Sequence, residues 1–472
     1  MNTNKLLALT LAEAQEKIAA KQLSPVALTA AYVNRITETE KESNSFMSVD
    51  LDGALKQAHA LEEMQMAGHF IGPLHGIPVA IKDNIDLEGF PTTASSKVYA
   101  NNYPVKDAPV AARLKSAGAV IVGKTIMHEF AWGATTDTVA YGAAHNPWDP
   151  KRFCCGSSGG SAASIANGTS LAALGTDTGG SVRLPSSVCG VVGMRPTYGR
   201  VSLKGIVPLA YSMDACGPIT RTVRDNAIML NVMAGHQSGD ITSKNASVKD
   251  FTRQLSLGVK NIRIGILPDV LFENDQPDVI EAVKNAMEIY RELGAEIVEC
   301  KMENLSLMQK AWYAVCSVEA STYHQNNIRK RPDDYSEEVR ALLQAGELIP
   351  GTAYVQAQRY RSWLREQFRT LFQTVDLLLF PTLPATAVPI GEYDLIINGK
   401  ELNMLPLTCT YVCYAPMTGV PALQIPCGLD HDGMPIGFQL LGREFEEEIC
   451  YRAGAAFEKI YNLHDQLPAV RI

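Results

Sequence analysis

Leu171-Ala172-Ala173-Leu174-Gly175-Thr176-Asp177-Thr178-Gly179-Gly180-Ser181-Val182-Arg183-Leu184-Pro185 is the stretch that decides the fold. Its first four residues read as a buried strand, a glycine-rich turn follows, and Pro185 suits the first turn of a short helix. Upstream, Ile77–Ile81 reads as a buried strand ending near Lys82. Val110 to Ala117 reads as a helix with Pro109 at its start, Ala119 to Val122 as a strand and Ser161 to Ala166 as a helix. Downstream, strands at 262–267, 296–299, 377–380, 422–425 and 436–441 are spaced by helices at 277–293, 308–325, 336–345, 353–372 and 445–461. This alternation predicts an α/β fold: a single large domain with a central mixed β-sheet covered by helices on both faces. The polar stretch Gly235 to Gly258 reads as a surface connection, since the alternation resumes straight after it.

The composition is that of a globular protein: 46% of its 472 residues are hydrophobic and 19% charged, with a net charge of -8. That charge argues against an electrostatic grip on nucleic acid. No apolar run approaches the ~20 residues that cross a bilayer, so no membrane partner is expected. Lys5-Leu6-Leu7-Ala8-Leu9 resembles the start of a signal sequence, but it runs into Glu13, Glu16 and Lys17. It reads better as an amphipathic helix, Leu11 to Lys21, with Ser24-Pro25 opening the next. Ten cysteines without CxxC spacing point to free thiols in a reducing cytoplasm and to no structural zinc.

A second Ser/Gly segment, Gly156-Ser157-Ser158-Gly159-Gly160-Ser161, precedes the first, and Lys82 lies further upstream in Ile81-Lys82-Asp83-Asn84. A serine hydroxyl needs a neighbouring base to attack at neutral pH, and donors to hold the oxyanion it creates. Thr178-Gly179-Gly180-Ser181 can supply nucleophile and donors together, because glycines let successive N–H groups turn into one concavity. None of the nine histidines lies in a triad-like motif, and no GxSxG elbow or HExxH is present. A lysine serves as base only if burial depresses its pKa. Gly118 to Thr125 matches the phosphate-loop pattern GxxxxGKT, but its intervening Ala-Val-Ile-Val makes a buried strand and not an open cradle.

These residues resemble the amidase signature family over nearly the whole chain. The likeness takes in Gly76–Asp83, Gly118–Thr125, both Ser/Gly segments, Gly193–Ser202 and Pro435–Gly442. The resemblance implies the amidase signature fold over 1–472. Its parts are N-terminal helices to about 65, a catalytic core at about 66–235, a variable helical substrate region at about 270–375 and C-terminal core strands and helix at about 376–472. It implies a Ser–Ser–Lys triad: Ser181 as nucleophile, Ser157 as bridging serine in a cis peptide unit, and Lys82 as ultimate base. Thr178, Gly179 and Gly180 become the oxyanion hole, Ser158 and Asp177 its support. Cys155, Cys316, Tyr411 and Cys413 fall at its substrate pocket, although Cys316 reads more readily as a buried small hydrophobe. Cys154-Cys155 departs from the family, which has Gly-Gly or Pro-Gly there.

The expected activity is hydrolysis of a carboxamide or related C–N bond, linear or urea-type, through an acyl-enzyme without metal or cofactor. The expected partner is a small-molecule amide, with no nucleic acid, and a homodimer by analogy. A rival within the family is the glutaminase subunit of the tRNA-dependent amidotransferase. Gly199 to Ala215 and the C-terminus fit that rival, while Ser336 to Arg365 looks more like stand-alone amidases. A rival of another class is a catalytically silent binding protein on the same scaffold, against which the intact Ser181, Ser157 and Lys82 speak.

Overall fold

A computed structural model describes residues 3–468. Eleven strands form one sheet: β1 Phe46–Val49, β2 Pro78–Lys82, β3 Val120–Thr125, β4 Ala172–Asp177, β5 Val192–Arg195, β6 Ala215–Thr220, β7 Arg263–Ile266, β8 Glu296–Glu299, β9 Leu377–Pro381, β10 Ala422–Leu429 and β11 Pro435–Leu441. Their spatial order is β1-β3-β2-β4-β6-β5-β10-β11-β9-β7-β8. The β3-β2-β4 and β9-β7-β8 groups are parallel and the remaining pairings antiparallel, so the sheet is mixed. The segment 235–258 carries no helix or strand and leads back into the same sheet.

The sheet separates two hydrophobic cores. Val79, Ile81, Ala172 and Leu174 enter one, and Ala80 and Ala173 the other, as the two-residue period of a strand requires. The first core is closed by helices including Leu11–Ala19, Pro25–Ser43, Val223–Met233, Pro277–Glu292 and Glu447–Glu458. The second is closed by Gly159–Ala166, Arg183–Val188, Met308–Lys330, Glu337–Glu347 and Gly351–Leu371. Ser24 caps Pro25–Ser43 by accepting from Ala27 N–H at 3.0 Å, with proline in its first turn. The strand of the opening motif runs three residues further than its apolar letters suggest, to Asp177. Several elements escaped the sequence pattern: β1, the helix Leu51–Met66, β5, β6, Val223–Met233 and a small hairpin at 394–403.

Candidate active site

Lys82 ends β2 and Asp177 ends β4, two parallel neighbours, so the site forms at the carboxyl edge of the sheet. The turn before Gly159–Ala166 brings Ser157 to the same edge, and the turn before Arg183–Val188 brings Ser181. The Gly156–Ser157 peptide is cis. Lys82 is fully buried. Its Nζ donates to Ser157 Oγ at 2.8 Å and to Thr176 Oγ1 at 2.8 Å. Burial pulls the amine from its ordinary 10.5 down to about 7, against the opposing pull of Asp177, Asp214 and Cys216. Near neutrality a large share of Lys82 is therefore an uncharged amine able to accept a proton.

Asp177 anchors the turn that carries Ser181. Its carboxylate accepts from Gly180 N–H at 3.0 Å and Val182 N–H at 3.3 Å. Arg183 grips it bidentately at 2.9 and 3.0 Å, and Arg195 lies at 3.3 Å. Burial pushes this carboxyl up, yet the two guanidiniums outweigh it and hold the group well below the usual carboxylate range. Ser158 N–H donates to the Ser181 carbonyl at 3.2 Å, and Ser158 Oγ bridges the backbone of Thr176 at 3.3 Å. Thr178 Oγ1 donates to buried Asp214 at 2.5 Å. Gly180 adopts a φ of 100°, open to glycine but strained for other residues.

Ser181 opens on a cavity of about 380 Å3, lined also by Gly156, Gly179, Leu184, Trp132, Trp312, Tyr313 and Glu338. Trp312 Nε1–H donates to the Thr178 carbonyl at 3.0 Å, which fixes its ring edge against Gly179. A Cβ on Gly179 would stand 2.4 Å from Trp312 Cζ2, so only glycine fits there. A wider surface groove of about 890 Å3, with Asp86, Lys106 and Arg113 on its walls, contains none of the three residues Lys82, Ser157 and Ser181. Among the described residues, no group of three or more His, Cys, Asp or Glu is placed to hold a metal ion.

Five sequence expectations need correction. Gly180 N–H is committed to the Asp177 carboxylate and is not a free oxyanion donor. Cys155 is buried at a φ of 52°, its carbonyl taken by Thr136 Oγ1, and its neighbour Gly156 lines the cavity instead. Cys316 stands one helical turn beyond Trp312 and is fully buried. Burial raises its thiol pKa well above the ordinary value, the signature of a small core hydrophobe. The Tyr411 hydroxyl donates to Asp275 at 2.9 Å and accepts from Phe272 N–H at 3.0 Å, which turns it away from the cavity. Cys413 is buried behind Cys409, and it is Cys409 that reaches the lining. The sequence reading missed Thr176, Asp214, Arg183, Arg195 and Glu338. Thr176 and Arg183 lie inside the opening motif and Arg195 inside Gly193–Ser202, so the sequence displayed these three without giving them roles.

A buried amine on a serine hydroxyl, with a second serine facing a cavity, is an arrangement that can activate a serine for attack on an acyl group. The chain belongs to the amidase signature family: the Amidase family model matches residues 27–451. It is 39% identical over 485 residues to a glutamyl-tRNA(Gln) amidotransferase subunit of Chloroflexus aurantiacus, covering 98% of each chain. A solved structure of the like-named subunit from Thermotoga maritima superposes with a TM-score of 0.81 at 33% identity, covering 96% of this chain and 95% of that one. A chain solved in work on a vestigial protein complex that reveals the evolutionary origins of an s-triazine catabolic enzyme superposes at 0.92 with 32% identity over 96% of this chain and 99% of that one. These relatives overturn the expectation of a small-molecule amide as the sole partner, with no nucleic acid and a homodimer, because full-length matches are named as subunits of a glutamyl-tRNA(Gln) enzyme. Among the described residues, no helix is long and apolar enough to cross a membrane.

Proposed function

We propose that this chain is the amide-hydrolysing subunit of a glutamyl-tRNA(Gln)-type amidotransferase, releasing ammonia from a carboxamide donor. The observation that carries the chemistry is the 2.8 Å contact from Lys82 Nζ to Ser157 Oγ. The place in a multi-chain enzyme rests on likeness to the Chloroflexus aurantiacus protein over 98% of both chains. Neutral Lys82 accepts the proton of Ser157, which takes that of Ser181. Ser181 Oγ then attacks the amide carbonyl. The N–H groups of Thr178, Gly179 and Ser181 receive the oxyanion, with Asp177 holding the turn in shape. Ser157 returns a proton to the leaving nitrogen, and water attacks the acyl-enzyme by the same path.

Ammonia release from glutamine, measured on the chain purified with its associated subunits, tests this reading. Release that requires both Ser181 and a second chain of the complex sustains it. A complex that leaves glutamine intact overturns the amidotransferase reading.

A further inference from the structure

Among the described residues, Glu338 supplies the one carboxylate in the lining of the Ser181 cavity, and no Lys, Arg or His lines it. The other walls are largely aromatic and aliphatic: Trp132, Trp312, Tyr313, Leu184 and Leu342. Glu338 stands in the first turn of Glu337–Glu347, and its side chain is 46% exposed at the rim. The groups around it do not neutralise it. Its nearest basic group, His128 Nε2, is 3.7 Å away. Burial and Lys82 pull that imidazole down to about 4, so it is uncharged at neutral pH. Burial first, then Asp137 and Glu129, raise the Glu338 pKa. The rim is thus an electronegative spot facing aromatic rings. Trp132 packs against Tyr313 with ring centroids 6.0 Å apart and against Trp312 at 6.1 Å.

A carboxylate without a cation, set beside aromatic faces, matches an ammonium or guanidinium group: the first pairs with its charge and the second with its field. We propose that Glu338 makes this cavity seat the cationic group of an amide substrate, taking an ammonium in preference to a carboxylate on the same body. The inference rests on Ser181 being the nucleophile at this cavity, and it names the charge class of amide that the nucleophile meets. Glutamine brings an ammonium and a carboxylate, and the lining offers a charged partner to the ammonium alone.

The test uses a matched hexyl series, hexylammonium, hexanol and hexanoate, to protect Ser181 against labelling by a sulfonyl fluoride at pH 8. Peptide mass spectrometry reads the label, and each variant's unprotected rate is its own reference. Hexylammonium should protect wild type at about one-tenth of the concentration hexanoate needs, the size of one screened ion pair plus one cation–π contact. Glu338→Gln should collapse that difference, and Glu338→Lys should reverse it. Equal protection by the two ions in wild type, or a preference that survives Glu338→Gln, overturns the proposal while leaving Ser181 as nucleophile. A chain in which Ser181 takes no label sinks the nucleophile assignment, and the proposal with it.

Discussion

Replacing Asp177 by Asn keeps the shape of the side chain and removes the charge that two buried guanidiniums share. Arg183, Arg195 and Asp177 are all fully buried. Breaking a buried pair by neutralising one partner costs about 3–5 kcal/mol, because the remaining charge stays desolvated. The lower end applies here. Arg183 keeps Gln439 Oε1 at 2.5 Å and the Val412 carbonyl at 2.9 Å, and Arg195 keeps the Met213 carbonyl at 2.7 Å. A loss of about 3 kcal/mol is a large part of the roughly 5–15 kcal/mol that holds a domain folded. Urea unfolding followed by tryptophan fluorescence should show a midpoint lower by about 1 M for a urea dependence of about 3 kcal/mol per molar. The difference should be flat from pH 6 to 8. A carboxyl held low contributes its full stability above its unfolded value of about 4, and loses it only as pH falls toward the depressed folded value. A midpoint shift worth under about 1 kcal/mol would refute the view that this triad holds the Ser181 turn.

Three further outcomes are expected. Ser181→Ala should eliminate amide turnover and leave the unfolding midpoint unchanged; retained turnover contradicts the nucleophile assignment. Gly179→Ala should force the Trp312 ring away from the turn and displace an oxyanion donor, lowering kcat/KM about 10²-fold or more, and an unimpaired variant would show that this N–H does no chemistry. Lys82→Met removes an amine whose pKa drops from 10.5 unfolded to about 7 folded. The unfolded wild type holds the extra proton between those values, so wild-type stability should rise relative to the variant by about 2–3 kcal/mol from pH 7.5 to 9.5; paired urea curves whose separation does not change with pH would count against the depressed amine.

The layered fold was legible because most of its parallel strands are buried on both faces and read as short apolar runs between helical patterns. Pro78–Lys82, Pro277–Glu292 and Glu296–Glu299 lie within a residue or two of where those runs place them. The antiparallel strands Val192–Arg195 and Ala215–Thr220 were lost because Gly193, Gly217 and Pro218 interrupt the apolar signal. Tertiary pairing, not local preference, makes them strands. Lys82, Ser157 and Ser181 were readable as motifs, and the fold gathers them from three separate strand ends and turns. The cavity was less readable, since which face of Met308–Lys330 meets it depends on helix docking. Trp312 and Tyr313 reach the cavity, whereas Cys316, on the next turn, points into the core.

The pH dependence of the first acylation of Ser181, followed in single turnovers with chemistry limiting, reaches the central claim most directly. A buried amine that works only when uncharged predicts a rate that climbs tenfold per pH unit below about pH 7 and levels above it, with the climb absent in Lys82→Met. A wild-type rate constant from pH 5.5 to 9, or a full rate in Lys82→Met, would contradict it.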